Sequence, residues 1–361
     1  MRVAIIGSRG IPAKYGGYET FAQELSVRLV KMGMQVEVFC DKTENGSDLY
    51  EGVNLKYSVC TKTSNPLKYY HNSVRMAEKS NDIILICGAA GALFIYSKIF
   101  HRKVTYLTNM DGIEYLRTKW TLPKRLFVRF CIWTSVYLSD YVIADSKSIR
   151  EFLLKNYIIS DKRIIQIEYG ADINDKSDLS LLDEYNLKPN GYYLVVSRLE
   201  PENNIDCIIR GYIKSDIQKP LIVVGNLLKT KYVNGLLQFK SDKVRFFGGV
   251  YDKSKLEALR SGCIAYFHGH SVGGTNPSLL EALGSGNIII AHNNVFNREV
   301  TDNKMKYFST PEECCKAILE VERLSKEDVL EYKQLAIKRV KDYYNWERIA
   351  QDYYNALFKI S

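Results

Sequence analysis

Val3-Ala4-Ile5-Ile6-Gly7-Ser8-Arg9-Gly10-Ile11-Pro12-Ala13-Lys14-Tyr15-Gly16-Gly17 is the stretch that decides how this chain folds. Four apolar residues make a buried strand, the glycines and the proline make a loop, and a helix begins near Tyr18. That helix carries Phe21, Leu25, Leu29 and Met32 at helical spacing and stops at Gly33, after which Gln35-Val36-Glu37-Val38-Phe39 reads as a second strand. Strand, glycine loop, helix and strand form a βαβ unit, the opening of a doubly wound parallel sheet. The loop lacks G-x-G-x-x-G spacing, and Asp41 follows no such fingerprint, which disfavours a nicotinamide dinucleotide. Glycine amides at a helix start suit a phosphate-type group instead.

Working outward, the longest uncharged run, Ile83 to Ser97, is too short to span a bilayer and reads as a buried strand, a turn and a helix. Tyr141-Val142-Ile143-Ala144 is a strand whose trailing Asp145-Ser146 caps a helix from Lys147 to Asn156, with Ile164 to Glu168 beyond. The polar, punctuated text from Ile173 to Asn190 looks like a domain connection. A second α/β pattern follows. Tyr192–Val196, Leu221–Val224, Val244–Phe247, Ile264–Phe267 and Ile288–Ala291 are strands, and Ile205, Ile208, Ile209 and Tyr212 mark one helix between them. Two domains suit 361 residues. The reading is a domain over 1–172, a linker over 173–190, a second domain over 191–342, and a last helical segment over 343–361.

A second anion-suited segment lies in the C-terminal half, Gly269-His270-Ser271-Val272-Gly273-Gly274-Thr275-Asn276-Pro277-Ser278-Leu279-Leu280-Glu281. An amide-rich turn runs into an apolar helix, and orphan N–H donors there attract an anion. Glu281, one turn in, is placed to accept hydrogen bonds from sugar hydroxyls; the alternative is an ordinary loop-to-helix turn. Ligands of doubly wound sheets bind beyond the carboxyl ends of the strands, where Gly16, Arg198, Gly225 and the 269–281 segment would converge in a cleft between two facing lobes.

Composition bounds the partners. The chain has a net charge of +9, and residues 1–172 hold 24 basic against 17 acidic side chains while 173–361 hold 26 against 24. Within the basic half, Lys119 to Trp133 mixes cationic and aromatic residues on a helix, which suits an anionic membrane surface or a helix packed on its own sheet with solvated cations. The modest excess, with no binding motif beside it, disfavours nucleic acid. Eight cysteines without a C-x-x-C pair, and histidines without zinc spacing, speak against disulfides and structural zinc. No signal peptide is read at Met1-Arg2, so a cytoplasmic protein is expected.

Four motifs in order, P-A-K-Y-G-G-Y-E-T-F-A-Q-E-L, V-S-R-L-E-P-E-N-N-I-D, G-G-T-N-P-S-L-L-E-A-L and Tyr343-Tyr344-Asn345-Trp346, resemble the GT-B glycosyltransferases of the large retaining family four. The resemblance covers essentially the whole chain. It implies an α/β protein of two facing Rossmann-like, doubly wound domains, the first binding acceptor and the second a nucleotide sugar, with a C-terminal helix crossing back to the first. The strings GIPAKYGGYETF, NMDGIEYLRTKW, RLEPENNI and HGHSVGGTNPSLLEAL look like the bacterial capsule and cell-wall rhamnosyltransferase branch, whose members use dTDP-L-rhamnose. Three positions depart from the general pattern: Asn203 replaces a diphosphate-assisting lysine, Gly273 replaces the first glutamate of a pair, and the Asn109–Asp111 turn lacks a histidine. All three match the rhamnosyl branch.

The chemistry of such a transfer needs positive or amide-rich groups around a departing nucleotide diphosphate. No Asp-x-Asp pair follows a strand, so the economical site has neither metal nor cofactor. Arg198 leads as the charge-stabilising residue, with Gly16, Gly17, Gly225, Asn226, Gly274, Thr275 and Asn276 as binding groups and Asn203 and His270 beside the diphosphate or sugar. Glu281 would hold the nucleotide's pentose. On the acceptor side, Asp111 would orient or deprotonate a hydroxyl, with Glu114 and Arg117 nearby. The resemblance implies retention of configuration by front-face attack, a lipid-diphosphate-linked saccharide as acceptor, and a peripheral position on the inner face of the cell membrane. The alternatives are another nucleotide sugar, a sugar-nucleotide epimerase of the same fold, or a non-catalytic sugar-nucleotide-binding subunit.

Overall fold

The computed structural model describes residues 1–14, 16–43, 46–95, 104–110, 112, 113, 115, 120–174 and 176–360. The chain divides into two compact units, the first comprising Met1–Leu116, Trp120–Gly170 and Trp346–Ser361, the second containing Ala171–Asn345.

The first unit is an eight-stranded sheet built on β1 (Arg2–Ile6), β2 (Gln35–Cys40), β3 (Leu49–Tyr50), β4 (Val53–Tyr57), β5 (Ile83–Cys87), β6 (Thr105–Met110), β7 (Tyr141–Ala144) and β8 (Ile164–Gln166). Their order is β3-β4-β2-β1-β5-β6-β7-β8, parallel throughout except the short β3–β4 pair. Every residue of β5 is buried because the sheet is covered on both faces, as the continuous apolar run Ile83-Ile84-Leu85-Ile86-Cys87 requires. Alternation sorts its side chains. Val3, Ile5, Ile83 and Leu85 join one core, while Ala4, Ile6, Ile84 and Ile86 join another with Tyr69, Tyr70 and Val74. The helices of this unit are α1 (Gly17–Lys31), α2 (Pro66–Ala77), α3 (Leu122–Leu138) and α4 (Lys147–Asn156). Ser146 caps α4 by accepting from the Ile149 amide, which fixes the start the sequence indicates. The run after β5 forms a 3-10 turn over Ala89–Phe94 rather than an α-helix.

The second unit is a six-stranded sheet of β9 (Tyr193–Val196), β10 (Leu221–Val224), β11 (Val244–Gly248), β12 (Ala265–His268), β13 (Ile288–His292) and β14 (Lys306–Phe308). The order is β11-β10-β9-β12-β13-β14, all parallel. Helices α5 (Ile205–Ser215), α6 (Lys231–Leu237), α7 (Lys253–Ser261), α8 (Pro277–Gly284), α9 (Val295–Val300), α10 (Pro311–Glu322) and α11 (Lys326–Arg339) accompany it. Ile205, Ile208, Ile209 and Tyr212 of α5 are buried against the sheet, as their spacing demands. The 173–190 stretch carries a 3-10 turn, Leu179–Tyr185, with Leu182 and Leu187 buried, and it packs as part of this unit.

The last helix, α12 (Trp346–Ile360), belongs to the first unit. Its apolar stripe Trp346, Ile349, Tyr353 and Leu357 shares a core with Phe21, Leu25 and Leu29 of α1, and full burial of each such side chain contributes roughly 1.5–3 kcal/mol. Tyr353 meets Phe21 edge-on at 5.5 Å and accepts from Asn109 Nδ2 at 3.1 Å. Gly170 is glycine because a Cβ there would overlap the Trp346 ring.

Candidate functional site

Both sheets reverse direction of winding at one point, between β1 and β5 in the first and between β9 and β12 in the second. Loops leaving the carboxyl ends of such a pair splay apart and leave a crevice for ligand. The candidate residues fall at these two points, and each is described within its own unit.

In the second unit the β9 loop, 197–204, the β10 loop from Gly225, and the β12 loop, 269–276, leave adjacent strands. They are stitched together. A Cβ on Gly225 would overlap the Ser197 carbonyl oxygen, and one on Gly269 would overlap that of Asn203, so both positions require glycine for close backbone approach. Asn203 is buried; its Nδ2 donates to the Arg198 carbonyl at 2.6 Å while its Oδ1 faces His270 Nδ1 at 2.5 Å. Because Nδ2 is thereby oriented, Oδ1 is the acceptor and His270 Nδ1 carries the proton. Asn204 Nδ2 donates to the Gly269 carbonyl at 2.8 Å, and Asn294 and Asn297 each donate to the His270 carbonyl at 2.9 Å. Asn203 therefore acts as a brace between the two loops. Asn226 accepts from the Tyr251 hydroxyl at 2.6 Å.

Arg198 stands open beside this braced floor, its side chain 49% exposed and its Nη1 3.8 Å from Glu200. So exposed a pair contributes little, and the guanidinium stays available for an incoming anion. Gly273 has a φ of +141°, and a Cβ there would lie 3.1 Å from His270 Nε2, so a longer side chain at this position is strained. Gly274 and Thr275 are buried, and Asn276 caps α8 by accepting from the Ser278 amide at 3.0 Å, with Pro277 at the first helical position. Behind the loop, burial and the neighbouring His270 and His292 hold the His268 imidazole well below its usual value, so it is neutral.

Glu281 points from α8 toward Arg260, a residue the sequence alone did not single out because it lies 21 positions away on another helix. The two form an ion pair in which the Arg260 side chain is 5% exposed and that of Glu281 is 42% exposed. Among the described residues, no three His, Cys, Asp or Glu side chains are placed to hold a metal ion.

In the first unit Gly16, with a φ of +112°, precedes α1, and Gly17 opens it; a Cβ on Gly16 would overlap Glu19. Glu19 is buried and accepts from the Arg9 amide at 2.8 Å, tying the glycine loop to the helix. Lys62, another residue missed from sequence, donates from Nζ to the Gly7 carbonyl and sits 5.5 Å from the Tyr18 ring and 5.4 Å from that of Tyr70. Asn109 is the next-to-last residue of β6, its side chain turned to Tyr353. Asp111, Glu114 and Arg117 lie outside the described residues.

The basic aromatic helix buries Cys131, Ile132 and Val136 and turns Leu126, Phe127, Phe130 and Trp133 outward, between 44% and 58% exposed. Lys124 and Arg129 are exposed on the same helix, and Phe130 and Trp133 stack at 6.0 Å. A groove of about 820 Å³ runs between this face and the end of α4, where Ile158 is 91% exposed. No described helix is long and apolar enough to cross a membrane.

A family model described as a domain of unknown function, DUF1972, matches residues 1–172. An uncharacterized glycosyltransferase of Methanocaldococcus jannaschii is 24% identical over 279 residues, which are 72% of this chain and 69% of that protein. Among solved structures, a sucrose-phosphate synthase from Thermosynechococcus elongatus superposes with a TM-score of 0.81 at 18% identity over 100% of both chains. HepE of Anabaena in complex with UDP superposes at 0.76 and 18% identity over 99% of this chain and 100% of that one. In complex with UDP-glucose, HepE gives 0.76 at 16% identity with the same coverage. The fold is thus that expected from the motifs, two Rossmann-like α/β domains with parallel sheets matching GT-B glycosyltransferase structures.

Proposed function

We propose that this protein is a glycosyltransferase that moves L-rhamnose from dTDP-L-rhamnose to a lipid-diphosphate-linked saccharide in capsule or cell-wall polysaccharide assembly. The observation that carries the reading is the braced crevice of the second unit, where an open guanidinium, a capped helix start and a carboxylate one turn further lie along neighbouring loops. That sequence of groups matches a nucleotide sugar: cation and amides for the diphosphate, a carboxylate for the pentose hydroxyl. The glycosyltransferase relative in Methanocaldococcus and the UDP-bound HepE structures support the nucleotide-sugar class. The rhamnosyl-branch strings, with Gly273 in place of a glutamate, support the donor.

In the reaction the bond between the sugar's anomeric carbon and the β-phosphate oxygen breaks while the acceptor oxygen forms its bond on the same face. Charge developing on the diphosphate is met by Arg198 and by the amides of the Gly274-Thr275-Asn276 turn, without a divalent ion. The departing phosphate takes the acceptor proton, and Asp111, with Glu114 and Arg117, is the acceptor-orienting group that the family resemblance implies. In the first unit, Gly16 and Gly17 offer amides at the start of α1 that suit a phosphate-type group. Asn203 and His270 hold the loops in register, and Gly225 and Asn226 give the nucleotide a close floor. The first unit would take the acceptor and the second the donor. The exposed aromatic and basic face of α3 supports a peripheral position on the inner, anionic leaflet of the cell membrane.

Incubation with dTDP-rhamnose, UDP-glucose, UDP-N-acetylglucosamine and GDP-mannose, with and without membrane extract and with EDTA, tests the reading. Transfer to lipid from dTDP-rhamnose alone, insensitive to EDTA, is expected. Turnover only with a UDP-sugar would move the donor assignment to the nucleotide bound by HepE. Consumption of donor without any acceptor would indicate an epimerase, and no turnover with tight nucleotide binding a non-catalytic subunit.

A further inference from the structure

We propose that Arg260 is a positioning residue for the donor, its buried guanidinium fixing the Glu281 carboxylate as an acceptor for a pentose hydroxyl. The inference rests on the nucleotide-sugar reading above and adds to it a residue and a rule of selection. Arg260 occupies the last turn of α7, and its main chain is anchored, the carbonyl accepting from Asn287 Nδ2 at 2.7 Å and from Cys263 Sγ at 3.1 Å. Its Nη2 pairs with Glu281 Oε2, and among the described residues its Nε has no hydrogen-bond partner and Glu281 is its one ion-pair partner. A guanidinium removed from water demands its counter-charge, because an uncompensated buried charge costs several kcal/mol.

That demand acts on Glu281 in two ways. One carboxylate oxygen is held on an anchored partner, and the other is left to accept from a ligand hydroxyl. Its side chain keeps 42% of its surface, so acceptor capacity remains for a ligand. A carboxylate there accepts from hydroxyls and disfavours phosphate, whereas the start of α8, one turn away, attracts phosphate. A nucleoside diphosphate consequently has one register, with diphosphate on the loop and pentose on Glu281. Without Arg260 the carboxylate would be free to rotate into solvent, and the register would loosen.

The test is calorimetric binding of dTDP and UDP, each beside its 3′-deoxy analogue, to the wild type, Arg260→Met, Arg260→Lys, Glu281→Gln and the double variant Arg260→Met/Glu281→Gln, with thermal midpoints recorded. A charge-assisted bond to the hydroxyl corresponds to a preference of roughly tenfold to a hundredfold for the hydroxylated nucleotide in the wild type. Arg260→Met should lose most of that preference while binding the 3′-deoxy nucleotide as before, and Arg260→Lys should recover part of it. Glu281→Gln should lower the thermal midpoint by stranding the buried guanidinium; the double variant should regain the midpoint and not the preference. A folded Arg260→Met protein that keeps the full preference, or one weakened equally for both nucleotides, overturns the role of Arg260 alone. A wild type that binds no nucleoside diphosphate overturns the nucleotide-sugar reading and this inference with it.

Discussion

The two switch points use their cations differently. Lys62, in the first unit, spends its ammonium on the Gly7 carbonyl and lies against the Tyr18 and Tyr70 rings, whereas Arg198, in the second, stands half-exposed above loops braced by Asn203 and Asn204. One charge maintains a loop; the other is left half-exposed, as the proposed anion site needs. In the second unit Asn203 and Asn204 take over the loop-holding work that a cation does in the first, and Arg198 is left exposed.

Replacing the presented charge has the largest expected effect. Arg198→Ala should slow transfer by about 10²–10³-fold with an unchanged thermal midpoint, read from steady-state release of dTDP. An equal loss from Lys62→Met would break the comparison. The next test adds a methyl where the loops touch: Gly269→Ala, forced against the Asn203 carbonyl, should destabilise the second unit by ~1–3 kcal/mol in urea unfolding and weaken nucleotide binding. Lys62→Met should cost a similar ~1–3 kcal/mol through the stranded Gly7 carbonyl, yet leave nucleotide affinity intact.

Acid sharpens the contrast. The folded protein holds His268 well below its ordinary value of 6.5, through burial and then the neighbouring histidines, so the unfolded chain binds more protons in acid. Stability from this group is full above about 6.5 and falls as pH drops below it, and burial lowers His292 in the same direction. Hydrogen exchange between pH 7 and 5 should accelerate over 264–297 before it does in β1 and β5. The smallest effect belongs to α3: Trp133→Ser should reduce partition onto anionic vesicles severalfold without changing nucleotide binding in solution.

Much of the fold was legible because its signals are local. The helix expected from about Lys147 to Asn156 after Asp145-Ser146 is α4, capped by Ser146, and the α5 stripe of Ile205, Ile208, Ile209 and Tyr212 is buried as its spacing requires. The short strands were not. β3 is only Leu49-Tyr50 and β14 only Lys306-Tyr307-Phe308, too short to show a period, whereas the alternation of Val53-Asn54-Leu55-Lys56-Tyr57 in β4 is a strand signal that the sequence reading missed. One site element was visible as text, the Gly269–Glu281 segment, because glycines, an Asn cap and a proline at the first helical position follow one another. What escaped was tertiary: Arg260 meets Glu281 from another helix, Lys62 meets Gly7 across 55 positions, and Asn203 reads as a ligand contact until its two bonds to Arg198 and His270 are seen.

Hydrogen exchange with and without saturating dTDP tests most directly whether the second unit's switch point is the nucleotide site. Protection confined to 197–204, 225–226 and 269–281 is predicted, with Arg198→Ala reducing it at all three. Protection elsewhere, or none at these loops while the nucleotide is bound, would contradict the account.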